Sequence, residues 1–293
     1  MTLIQPAPMV PRVHVVAVVG GGDSILLSHF ITHYRNLGVG SFFIIRHAES
    51  TEDPDYELIE HYAREAGVVL HRTHLGPWDG EMQGRLMSEA MLEHPEDWYI
   101  LADLDEFLVF DRPLAELVEF AESGGYSHVC GCYIDRIAAD GELPEVTAEP
   151  LWDQFPLGGA LTSQMLNSLP LKCGLARGWV QTGHGHHGTP GRTGVPRTSS
   201  YIQVHHFKWT GTLVARMRRR VERIESGAWP LRDHGYLDDA RHLLGHLDEH
   251  CGRIDVTDSR LLLDKCGPTY TDFTPWPLVV EDAQRWAYVF PDE

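Results

Sequence analysis

With 293 residues the chain can bury a sizeable core, and its 43% hydrophobic and 23% charged content is that of a soluble globular protein. A net charge of −18 argues against a general binder of nucleic acid or of anionic membranes. No apolar run approaches ~20 residues, so no transmembrane segment is expected, and Met1 to Arg12 lacks the charged n-region of a signal peptide, which points to a cytoplasmic protein.

Val13 to Val19 is a β-branched apolar run and predicts a buried strand. Gly20-Gly21-Gly22-Asp23-Ser24 breaks it, and Asp23 or Ser24 can cap a helix that Gly38 ends. Ser41 to Arg46 is a second strand, followed by a polar turn, His47 to Pro54, and a helix over roughly Asp55 to Ala66. Val68 to Arg72 is a third strand, Met82 to His94 a third helix, and Trp98 to Ala102 a fourth strand. This alternation specifies a Rossmann-type, mostly parallel α/β sheet flanked by helices, with ligands bound beyond the carboxyl ends of its strands. Past Phe107 the alternation weakens. A helix from Pro113 to about Ser123, a strand from Tyr126 to Ile134 and a loop-rich stretch to Pro156 come first. Strands at Lys172 to Gln181 and Tyr201 to Lys208 then flank a Gly/His/Pro-rich loop, and helices follow at Thr212 to Gly227 and Leu237 to Cys251. This half extends the first sheet.

The expected ligand edge collects Gly20 to Asp23, the turn to Asp53, and the acids that end the fourth strand, Asp103, Asp105 and Glu106. Asp103 and Asp105 share one side if the chain stays extended, and two hard oxygen donors suit Mg²⁺ or Mn²⁺ with substrate phosphates completing the shell. Alone, Asp-x-Asp is more often a polar turn after a core strand. The glycine turn does not complete a dinucleotide fingerprint, because Ile25 stands where the third glycine belongs. From Gln154 to Val221 there is no Asp or Glu, while Lys172, Arg177, Arg192, Arg197, Lys208 and Arg216 to Arg220 supply a basic block suited to an anionic ligand or to a solvated helix face. His184, His186 and His187 sit in a glycine-rich loop, His205 and His206 end a strand, and His234 follows. Five scattered cysteines indicate neither a zinc site nor a disulfide framework.

Val13 to Gly38, Trp98 to Phe107 (with its Asp-Leu-Asp-Glu-Phe) and His205-His206-Phe207-Lys208 together resemble the family-2-like glycosyltransferases of the GT-A fold, in the bacterial branch with an Asp-x-Asp-Glu-Phe signature. The resemblance covers about residues 13–225. It implies a nucleotide-sugar-binding half over 13–110, an acceptor-binding half over 111–225 and a C-terminal helical extension over 226–293, after a tail of residues 1–12. It also implies a UDP-, GDP- or dTDP-sugar donor, a carbohydrate or small-molecule acceptor, and a divalent metal held by Asp103, Asp105 and His206. Gly20, Asp23 and Asp53 would meet the base or ribose, although the family's usual Lys-Asn-Glu-like triplet after the first strand is replaced here by Gly20-Gly21-Gly22-Asp23. Lys208 and Arg177 or Arg192 would reinforce the phosphates. Inverting transfer needs a general base. Asp135 is the preferred choice, with Asp153, Glu106 and His184 to His187 behind it. A nucleotidyltransferase acting on a sugar phosphate and a non-catalytic nucleotide- or carbohydrate-binding module are the alternatives.

Overall fold

Val13–Val19 (β1) runs through the middle of the sheet, with Val15, Val16 and Val19 fully buried. Full burial of side chains of this size contributes roughly 1.5–3 kcal/mol each. The computed structural model describes residues 12–22, 24–189, 191–230 and 235–289. Asp23 and His234 lie outside the described residues. Helix Leu26–Asn36 (α1) leads to Ser41–Ala48 (β2), helix Pro54–Glu65 (α2) to Arg72–Leu75 (β3), and helix Gly80–Met91 (α3) to Trp98–Leu101 (β4). Both α1 and α2 close in Schellman turns. Gly38 (φ 88°) donates to Arg35 O and Val39 to Tyr34 O, while Gly67 (φ 65°) donates to Arg64 O and Val68 to Ala63 O.

β1 pairs in parallel with β2 and β4, and β2 in parallel with β3. The resulting order β3-β2-β1-β4 is the expected α/β arrangement, and its direction reverses between β1 and β4. A crevice forms outside the carboxyl ends of the strands at such a switch point. One strand differs from expectation. Val68 to Leu70 lie before β3, because the apolar Val68 completes the Schellman turn of α2 and the ladder to β2 starts only at Arg72.

The second half adds strands of mixed direction: Glu106–Val109 (β5), helix Leu114–Ser123 (α4), His128–Ile137 (β6), the short helix Leu151–Gln154 (α5), Leu157–Gly159 (β7), helix Leu161–Gln164 (α6), Leu171–Arg177 (β8) and Ile202–His206 (β9). Helices Leu213–Glu225 (α7) and Gly235–Glu249 (α8), strand Asp264–Lys265 (β10) and helix Trp276–Val289 (α9) follow. β8 joins β4 and β6 antiparallel, β7 extends β6, and β10 pairs with β7. β9 lies between β5 (antiparallel) and β6 (parallel). Strand β5 was not anticipated, and its register puts Glu106 opposite His206, which in turn stands beside Asp135. Directly paired residues share a face of the sheet, so these three side chains form one row.

Apolar clusters fill both faces. Phe30, Tyr34, Phe107 and Phe207 lie with α1, α2 and α4, Tyr99 and Leu101 with α3, and Trp209 and Leu213 under α8. Among the described residues no helix is long and apolar enough to cross a membrane.

Candidate active site at the carboxyl ends of the sheet

A cavity of about 890 Å³ opens at the switch point and is lined by residues of β1, β2, β6, β8 and β9, of the turn after β4, and of other segments that include α7 and α8. Gly20 ends β1 at its floor, where a Cβ would come within 2.4 Å of His47 O, so the close passage of β1 under β2 requires glycine. Gly21, His47, Glu49 and Asp53 continue this lobe.

The acids follow β4 in a tight turn, closed by Glu106 N to Asp103 O at 2.9 Å and by Asp103 N to the Glu106 carboxylate at 3.1 Å. Lys172, from β8, is the counterion. Its Nζ lies 2.8 Å from Glu106 and 3.2 Å from Asp103 and donates to Gly185 O at 2.7 Å, while its own side chain is 2% exposed. Tyr133 Oη donates to Glu106 at 2.7 Å, and Gln83 donates to Asp103. Burial works against ionised Asp103, but Lys172 outweighs it and holds the carboxyl down at about 2. Burial pushes Glu106 up, as do Asp103 and Asp105, against the pull of Lys172.

Because residues 104 and 105 form a turn, Asp103 and Asp105 are not the extended, same-sided pair expected. Asp103 turns to Lys172 and Gln83. Asp105 faces His206 Nε2 at 3.7 Å and Arg216 at 3.7 Å. The His206 ring stacks on Tyr133 (centroids 4.3 Å apart, 14° between planes) and donates from Nδ1 to Asp135 at 2.8 Å. Burial disfavours a charged His206, yet Asp105 and Asp135 together raise its pKa. A histidine whose Nδ1 is fixed by a carboxylate presents Nε2 outward, the second-shell pattern of metal-binding histidines. Among the described residues no three His, Cys, Asp or Glu side chains converge as a cage. Asp105 and His206 fit a divalent cation that takes its remaining ligands from substrate oxygens. Asp103, committed to Lys172, does not join them.

Asp135 does not suit the base role preferred from sequence. It is fully buried and accepts hydrogen bonds from Thr162 N (2.6 Å), Thr162 Oγ1 (2.7 Å), His206 Nδ1 and Trp209 Nε1 (3.1 Å). Burial alone would raise its pKa, but His206 and Thr162 hold it low. Four donors leave no path to an acceptor, so Asp135 orients His206. Asp153 is exposed on α5, outside the cavity lining. His184 opens a short 3-10 turn, His184–His186, and its side chain is not among those described.

Arg177 is also displaced from its expected place. β8 runs antiparallel to β4, so Arg177 lies beside Trp98 at the amino end of β4, bonded to Glu122 at 2.7 Å. Arg192 lies over Trp179, outside the lining. Lys208 does line the cavity, where burial and then Arg220 lower its pKa.

The facing wall is α7. Arg219 pairs with Glu49 (2.8 Å) and Asp53 (2.9 Å), and Arg223 pairs with Glu49 (3.0 Å). Asp53 also N-caps α2, accepting from Asp55 N at 3.1 Å, so it is engaged twice. Burial, and after it Arg220, bring Arg216 down to about 9. Sequence reasoning singled out this basic block without deciding its role. It passed over Gln83, Tyr133 and Asp239, whose local sequence carries no signal.

No protein-family profile and no curated protein matches the chain. Among solved structures it is similar to residues 1–349 of TarS from S. aureus, at 11% identity over 81% of this chain and 72% of that one, with a TM-score of 0.34. The same fragment in complex with UDP-GlcNAc gives 11% identity over 81% and 73%, with a TM-score of 0.37. A Bacillus anthracis protein assigned as a glucose-1-phosphate thymidylyltransferase, solved with a sucrose, is similar at 12% identity over 85% of this chain and 98% of that one, with a TM-score of 0.28. These likenesses are too loose to carry a functional argument, which rests on the site itself.

Proposed function

We propose that the cavity takes a nucleotide-diphosphate sugar and that the chain transfers its glycosyl group, with inversion, to a hydroxyl or amine of a carbohydrate or small-molecule acceptor. One observation carries this reading. One cavity at the switch point of a β3-β2-β1-β4 sheet is lined by Asp103 and Asp105 after β4, by His206 at the end of β9, and by Lys208, Arg216 and Arg220. A departing nucleoside diphosphate develops negative charge on its β-phosphate, and preorganised positive groups lower that barrier.

In this reading Gly20, Gly21, His47 and Asp53 accommodate base and ribose. Lys208 and Arg216 contact the diphosphate: burial, and after it Arg220, lowers the pKa of both, and the charge of a phosphate would offset that cost. Asp105 and His206 would hold Mn²⁺ or Mg²⁺, which supplies Lewis-acid stabilisation of the leaving group. Asp135 and Tyr133 fix the His206 ring, and Lys172 keeps the Asp103–Glu106 turn compact. The GT-A arrangement implied by the sequence resemblance accords with this distribution of roles.

Thermal denaturation with UDP, GDP and dTDP, with and without Mn²⁺, tests binding. A true product at 100 times its Kd adds about 2.7 kcal/mol of apparent stability. Identifying the released product decides the chemistry. A glycosyltransferase liberates a nucleoside diphosphate from a nucleotide sugar, whereas pyrophosphate from a nucleoside triphosphate and a sugar phosphate would overturn the reading in favour of a nucleotidyltransferase. Stabilisation without any product would indicate a binding module.

A further inference from the structure

The orienting role of Asp135 leaves the proton of the acceptor without a destination. Among the described residues five carboxylates line the cavity: Glu49, Asp53, Asp103, Asp105 and Asp239. Four of them lie within 4 Å of a cationic side chain. Glu49 and Asp53 meet Arg219, Asp103 meets Lys172, and Asp105 meets Arg216. Asp239, in the first half of α8, has no such ion pair among the described residues. It accepts one hydrogen bond, from Ser168 Oγ to Oδ2 at 2.6 Å, and its other oxygen carries no bond to a described residue.

We infer that Asp239 is the general base that takes the acceptor's proton, an assignment that rests on the glycosyltransferase reading above. Its place along the sheet supports this. The Gly20–His47 lobe lies over β1 and β2, and the acids end β4. Ser168, which meets Asp239, lies between α6 and β8, and its N–H donates to Thr162 O, while the Thr162 side chain meets Asp135 of β6. In the order β2-β1-β4-β8-β6, two strand spacings, roughly 10 Å, separate β4 from β6. Asp103, Asp105 and Asp239 line the same cavity of about 890 Å³, which leaves room for a sugar ring between the leaving phosphate and the base. Lys208 is stabilised in its charged form by Asp105 and by Asp239 alike, which brings Asp239 within electrostatic reach of the acid cluster. Glu106, the other carboxylate near the centre, is 1% exposed and already held by Lys172 and Tyr133.

The step balances as a displacement. The acceptor oxygen forms a bond to the anomeric carbon, and the bond from that carbon to the β-phosphate oxygen breaks, its electron pair leaving with the nucleoside diphosphate. The acceptor proton passes to the free oxygen of Asp239. Ser168, which fixes the other oxygen, is a positioning residue.

Water can stand in for the acceptor, so the test uses hydrolysis of UDP-glucose, UDP-N-acetylglucosamine, GDP-mannose and dTDP-glucose with Mn²⁺. Asp239→Asn should slow release of the nucleoside diphosphate by about 10²–10⁴-fold. Its Tm shift with the corresponding nucleoside diphosphate should match that of the wild type. Ser168→Ala removes the same hydrogen bond but keeps the carboxylate, and should lose less than 10-fold. Turnover of Asp239→Asn within 3-fold of wild type overturns the assignment. So do equal losses in the two variants, which mark Asp239 as a mere anchor of α8. A wild type that neither binds nucleoside diphosphates nor hydrolyses any donor removes the glycosyltransferase reading and this assignment with it, an outcome distinct from an active wild type with an active Asp239→Asn.

Discussion

The two charged walls of the cavity are built on different principles. At the end of β4 the acids belong to the sheet itself: Glu106 and Lys172 are 1% and 2% exposed, and strands β5 and β8 bring them together. On α7 the arginines reach inward from a surface helix, and Arg219 meets Glu49 and Asp53 with about a third of its side chain still exposed. Charges removed from water are costly to leave unpaired, whereas exposed pairs contribute little and are screened by salt. The acid wall is therefore a fixed template. The basic wall can exchange its carboxylate partners for a ligand's phosphates.

The largest effects should come from breaking the fixed wall. Lys172→Met strands Glu106 and Asp103 without their counterion and should cost about 3–5 kcal/mol in urea unfolding. Adding Glu106→Gln should recover part of that loss, because the two residues are in direct contact. A loss below 1 kcal/mol in Lys172→Met would show that water reaches the acids and that the wall is not sealed. Asp105→Ala removes a group that is 12% exposed and whose charged neighbours among the described residues, His206 and Arg216, stand at 3.7 Å. It should fold normally yet lose about 10²–10³-fold in turnover, the scale of one lost electrostatic contact to the leaving group. Full activity of Asp105→Ala, or of the wild type in excess EDTA, would remove the metal from the proposed chemistry.

The same contrast explains what could be read from the sequence. The parallel half is legible, except for the bounds of β3, because its elements carry local signals. β1, β2 and β4 are apolar runs, and Gly38 and Gly67 mark helix ends by their positive φ. Strand β5 was hidden because Glu106 to Val109 follows the acids directly, and only pairing with β9 makes it a separate strand. Strand polarity was equally invisible. Lys172 and Arg177 stand on one strand, and the antiparallel direction of β8 sends the first to the acids and the second to the opposite edge of the sheet. Asp239 was passed over because Leu-Asp-Asp-Ala on a helix reads as a solvated turn, and nothing local records that Ser168 meets it.

Acid should sharpen the comparison further, because the buried histidines and the two acids of the wall respond to it in different pH windows. Burial holds His33 down at about 4, partly offset by Leu108 O, and burial together with Lys172 holds His187 near 3. Groups with depressed folded values stabilise fully above their unfolded value near 6.5 and lose that contribution as pH falls through 4 and then 3. Asp103, lowered to about 2, keeps its contribution down to lower pH than either histidine. His206 and Glu106 have the opposite sign: their raised values stabilise fully below the unfolded values, near 6.5 and 4.5, and that contribution is lost as pH climbs through the folded values, about 7 for Glu106. Acidification from pH 6.5 to 4 should therefore lower Tm less in His33→Gln, whose amide can still donate to Leu108 O, than in the wild type. An unchanged slope in that variant would mean that His33 is not the group taking up the proton.

The smallest expected effect separates the walls most directly. Arg219→Ala breaks two ion pairs that are partly exposed, so unfolding should weaken by no more than about 1 kcal/mol. The energy of such pairs falls as the Debye length shrinks to about 3 Å at 1 M salt. The difference in Tm between Arg219→Ala and wild type should thus narrow towards zero as NaCl rises from 0.05 to 1 M, while that between Lys172→Met and wild type should persist. Affinity for a nucleoside diphosphate should move the other way. If Arg219 passes from Glu49 and Asp53 to a phosphate on binding, Arg219→Ala weakens UDP, GDP or dTDP binding by more than its small cost in stability. If it merely staples α7 to the turn after β2, binding and stability fall together.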